Sequence, residues 1–90
     1  MLGRVKAWLR ERHSKQAAVE RALGTFRETR DAVPMGVFVL RHDPRQTIVR
    51  VMYMTDHIPP DRAWFVVSRE DGEVRELSFD EVAHLESPWH

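Results

Sequence analysis

Five histidines, fourteen acidic residues and no cysteine bound the chemistry open to this 90-residue chain. Without a thiol there is no disulfide framework, no thiolate zinc site and no cysteine nucleophile. Two neighbouring pairs, His42-Asp43 and Asp56-His57, carry the residue types that acid–base work or metal ligation requires. They flank the strand expected over residues 47–54, and at about 3.3 Å per residue that strand holds them roughly 25 Å apart. One ion or one reacting atom cannot meet both. His84 has reach for only one of them, and no His-x-x-x-His spacing occurs. Ser14 and Ser78 read as helix caps and Ser68 as a strand residue, and none sits in a Gly-x-Ser-x-Gly elbow. Gly3, Gly24, Gly36 and Gly72 are too scattered for a phosphate-cradling loop. The expectation is a protein with no cofactor, no metal and no catalytic role.

The elements that would position any site follow from hydrophobic period. Met1, Leu2, Val5, Trp8 and Leu9 share one arc of a helix at 100° per residue, but Arg10 to Gln16 is wholly polar and interrupts that stripe. Ser14 then caps a second helical segment whose Val19, Ala22, Leu23 and Phe26 follow the i, i+3, i+4, i+7 rule. Gly24 is a point where that segment could break, and Thr25 with Glu28 has capping-box spacing for a further turn. Helix must end by Pro34, because the residue before proline disfavours the α region. From Gly36 the period shortens, and four strands fit near 37–41, 47–54, 63–69 and 73–77. Residues 42–46 form the first hairpin loop, and Pro59-Pro60 keeps the second connection outside the ladder. At Asp71-Gly72 a three-residue loop with Gly72 in the left-handed region would set Arg69 opposite Glu73, an attractive pair. Ser78 and Glu81 form a capping box, with Leu77 placed to staple Val82 and with Phe79, Val82 and Leu85 turned inward. The fold expected is a single α+β domain over residues 1–90: a helical region (1–33), a four-stranded antiparallel β-meander (36–77) and a short C-terminal helix (78–86).

Charge and apolar surface then point to partners. Lys plus Arg balance Asp plus Glu at fourteen each, so net charge does not steer the whole molecule toward nucleic acid. The distribution is uneven: residues 1–15 carry five basic residues against one acidic, whereas 70–90 carry seven acidic against one basic. Such a chain can pair head and tail within the fold or between copies. No apolar run approaches the ~20 residues of a membrane span, and the first residues lack the continuous apolar stretch of a signal peptide, so a cytoplasmic location is expected. Ala63 to Val67 is apolar on both faces of its pleat, and Val51 to Met54 nearly so, although one helical layer covers one face only. The reading is a non-catalytic, regulatory or accessory interaction module that forms a homodimer or binds another protein through Trp64, Val66, Met52 and Met54, with Trp8 serving a second contact. The alternative is a nucleic-acid-binding accessory protein using the row Arg4, Lys6, Arg10, Arg12 and Lys15.

Overall fold

A computed structural model describes residues 14–56 and 60–86. The first element is helix α1 (Lys15–Thr29). Its N-cap is Ser14, whose Oγ accepts from the backbone N–H of Gln16 at 3.1 Å and of Ala17 at 3.4 Å. The helix runs unbroken through Gly24, and Thr25 starts no new turn: its carbonyl accepts from the Thr29 hydroxyl at 3.0 Å. Propagating an existing helix past one glycine costs about 1 kcal/mol, less than breaking it and nucleating again.

Four strands follow: β1 (Pro34–His42), β2 (Gln46–Tyr53), β3 (Asp61–Ser68) and β4 (Val74–Glu76). They form one antiparallel sheet in the order β1-β2-β3-β4, the expected meander. A short helix α2 (Phe79–Glu86) closes the described chain. Ser78 and Glu81 make the reciprocal box, with Ser78 N–H donating to Glu81 Oε1 at 3.1 Å and Glu81 N–H to Ser78 Oγ at 3.3 Å. The architecture is therefore α+β, a helix and a short terminal helix around a four-stranded sheet.

Three local expectations are corrected. The first strand begins at Pro34 and the first hairpin turn is only Asp43–Arg45, tightened by Asp43 Oδ1 accepting from the N–H groups of Arg45 and Gln46 at 2.8 and 2.9 Å. Those two backbone donors hold the Asp43 carboxyl below its usual value. At the third hairpin Val67 pairs with Val74, and Ser68 N–H donates to the Glu73 carbonyl at 2.9 Å, so Ser68 rather than Arg69 faces Glu73. The loop is four residues long, and Gly72 takes φ 78° as its turn requires. Arg69 is used elsewhere, its guanidinium donating to the Asp43 carbonyl and its N–H to the Arg45 carbonyl, which ties the two hairpin ends together. Phe79 does not turn inward: it is 82% exposed.

The core lies between α1 and one face of the sheet. Ala17, Ala18, Ala22 and Phe26 of the helix pack with Val49, Val51, Ala63, Phe65 and Val67 of the two central strands. The alanines let the helix approach the sheet closely, and Phe26 fills the end of the interface, edge-on to the Tyr53 ring at 5.2 Å. Just past the helix, Arg30 binds the Glu76 carboxylate through two nitrogens at 2.7 and 2.8 Å and donates to Tyr53 Oη at 3.3 Å. That fork holds the Glu76 carboxyl below its usual range, clamping the end of α1 to β4.

Candidate functional site, the open sheet face and its outer strand

Observed register assigns every strand residue to a face. Tyr53, Val51 and Val49 of β2 point toward α1, so Met52, Arg50 and Ile48 point away, together with the residues paired to them. The face opposite α1 thus carries Gly36, Met52 and Arg62 in one row, Phe38, Arg50 and Trp64 in the next, and Arg41, Ile48, Val66 and Arg75 in the third. Of these, only Ile48 is buried. Phe38 is 44% exposed, while Met52, Trp64 and Val66 are half-buried. The Arg50 guanidinium stacks over the Phe38 ring at 4.8 Å from its centroid. The buried indole N–H of Trp64 has no acceptor among the described residues.

Two bulges shape the outer strand β1. Register shifts at Met35 and at Leu40 each insert one unpaired residue, leaving Gly36–Val39 as the regular stretch between them. The second bulge changes parity, so Arg41 lies on the same face as Phe38 although three positions separate them. Nothing in the described chain pairs with the far side of β1. Exposed apolar side chains gather along it: Val33 just before the strand, Met35, Phe38 and Leu40 within it, and Met54 just past the end of β2.

The anticipated contact residues fall on this surface with different weights. Met52, Trp64 and Val66 share the face opposite α1 but are half-buried by their neighbours, whereas Met54 is 54% exposed near the outer strand. Trp8, Arg4, Lys6, Arg10 and Arg12 lie outside the described residues, and Lys15 is exposed at the start of α1. Val33, Met35, Phe38 and Leu40 were not anticipated. Their signal was present in the sequence as an apolar segment from Val37 to Leu40 with no charge on either pleat face, but its weight depends on β1 being the edge of the sheet.

Of the two His-Asp pairs, His57 of the second lies outside the described residues. His42 Nδ1 lies 2.8 Å from the hydroxyl of buried Thr47, a structural contact at the end of β1. A groove of about 490 Å³ is lined by Arg30, Asp31, Ala32, Tyr53, Met54, Thr55 and Asp56, but its cation is spent on Glu76 and Tyr53. No three His, Asp or Glu side chains among the described residues gather as metal ligands. No helix among them is long and apolar enough to cross a membrane.

Among the described residues the geometry defines a class: a two-layer α+β domain with α1 sealing one sheet face, the other face partly exposed, and an apolar outer strand with no described strand on its far side. No family model matches the chain, and neither a curated protein nor a solved structure shows a significant likeness to it.

Proposed function

We propose that this chain is a non-catalytic protein-association module whose partner is a second copy, met through β1. The observation that carries the reading is the nine-residue outer strand, charge-free from Pro34 to Leu40, with Met35 56% exposed at its unpaired edge. Proteins usually guard such an edge with lysine, inward charges or short length. Here the guards are limited to Pro34, the two bulges and Arg41 at the far end.

A second copy fits this edge better than an unrelated strand. Antiparallel pairing about a two-fold axis within Gly36–Val39 is self-complementary, and it sets the Arg41 end of one copy beside the Asp31 end of the other. The pairing would satisfy main-chain donors and acceptors and cover Met35, Phe38 and Leu40 from both sides. The helix layers of the two copies would lie on the same side of one continuous sheet.

Sedimentation equilibrium across a concentration series tests this. The wild-type chain should shift from monomer to dimer with little sensitivity to salt. Met35→Lys with Leu40→Lys, which places a lysine near each end of the paired stretch in both copies, should hold it monomeric while circular dichroism stays unchanged. A wild-type chain monomeric to high micromolar concentration would remove the proposal.

A further inference from the structure

The groove of about 490 Å³ at the end of α1 sits beside the start of β1. One wall is Arg30, Asp31 and Ala32, which lead into the strand. The other is Tyr53, Met54, Thr55 and Asp56, which run on from the Pro34–Tyr53 pair. Its charges do not cancel. Arg30 is neutralised by its fork with Glu76, while Asp31 and Asp56 are exposed and enter no salt bridge among the described residues. Two carboxylates therefore remain in a groove that exposed Met54 lines and exposed Val33 adjoins.

The far end of β1 is opposite in charge. Arg41 near the strand's end and Arg45 in the turn are both exposed, and Arg69 is tied to the same turn through the Asp43 carbonyl. The carboxylate of that turn, Asp43, accepts from the N–H groups of Arg45 and Gln46 and so serves its own loop. In the antiparallel pairing described above, a two-fold axis between Val37 and Phe38 carries the strand of the second copy along β1 until its Arg45 stands opposite Arg30, next to Asp31. From this we propose that the Arg45 side chain of each copy seats in the groove of the other, against Asp31 and Asp56. The inference rests on the pairing through β1 and adds a charge contact, made twice about the axis, that fixes its register. Main-chain bonds along a strand tolerate a slip of two residues, whereas a cation that must reach these carboxylates does not. The preferred partner is therefore a chain carrying the same basic turn, rather than any exposed strand.

Sedimentation velocity on the full chain, with two charge-reversed variants, tests this. Arg45→Glu presents a carboxylate to an acidic groove, and Asp31→Arg with Asp56→Arg presents a basic groove to a basic turn. Each variant alone should dimerise about tenfold more weakly than wild type, since both symmetric contacts change from attraction to repulsion, and about 1 M salt should relieve the loss. Circular dichroism should stay unchanged. Mixed in equal amounts, the two variants should dimerise about as tightly as wild type, because each groove of the mixed pair then meets a turn of opposite sign. Wild-type dimers that Met35→Lys with Leu40→Lys abolishes, but that neither charge variant weakens, overturn this inference and leave the pairing through β1 standing. Weakened variants that mixing does not restore overturn it equally. A wild-type chain that stays monomeric overturns both.

Discussion

The two faces of the sheet are made by the same strands, one residue apart, and they end in opposite states. Toward α1, Val49, Val51, Phe65 and Val67 are fully buried. On the other side their sequence neighbours Arg50, Met52, Trp64 and Val66 remain partly open, and Phe38 projects at the rim. The sealed face takes small and branched side chains because alanines on α1 bring helix and sheet together. The open face takes arginine and aromatic residues, which tolerate water at one end and offer area to a partner at the other. The difference separates what holds the fold from what is available for binding.

Breaking the sealed face should have the largest effect. Phe26→Ala removes a fully buried ring between α1 and Tyr53, and a loss of about 3–5 kcal/mol is expected in chemical denaturation. On a domain this small such a loss leaves little folded protein. Phe38→Ser on the open face should cost under about 1 kcal/mol, because the ring already meets solvent, yet it should weaken association. Equal destabilisation by the two variants would dissolve the distinction.

Next in size is the clamp between α1 and β4. The folded carboxyl of Glu76 titrates below its ordinary 4.5 because Arg30 binds the charged form. As pH falls through this range the unfolded chain takes up the proton first, so the pair's contribution is complete above about pH 4.5 and is lost as pH drops through the folded value. Both side chains are partly exposed, which limits the contribution to about 1 kcal/mol. Glu76→Gln should lower stability by about that much at neutral pH and flatten the acid limb of the stability curve. An unchanged acid limb would show the clamp to be inert.

The smallest effect sharpens the contrast from the helix side. A Cβ at Gly24 would meet nothing within 4 Å, so Gly24→Ala should raise stability by about 0.5–1 kcal/mol through helix propensity alone. It should leave association untouched. Any change in association would tie the helix layer to the outer strand.

Much of the fold was readable because its signals are local. Ser14 before Val19, Ala22 and Phe26, Ser78 before Glu81, and Gly72 in its turn each act within a few residues, and each does what its chemistry requires. Phe79 was misjudged because a helix of two turns leaves the sheet too little surface to decide which residues turn in. The Arg69 pairing failed because the carbonyl of Asp43 competed for its guanidinium from a distant hairpin. The side taken by Arg41 was not readable at all: it shares a face with Arg50 only because a bulge at Leu40 reverses the parity of β1, and a bulge is set by pairing across strands. Exposure of β1 likewise depends on strand order, which no local pattern encodes.

Hydrogen–deuterium exchange of the wild-type chain at low and high micromolar concentration tests the role of the outer strand most directly. Amides of Gly36–Val39 should become protected as concentration rises while those of β3 and α1 keep their rates, and the Met35→Lys, Leu40→Lys variant should show no such change. Concentration-independent exchange along β1, in a sample that nevertheless dimerises, would place the contact elsewhere and contradict the account.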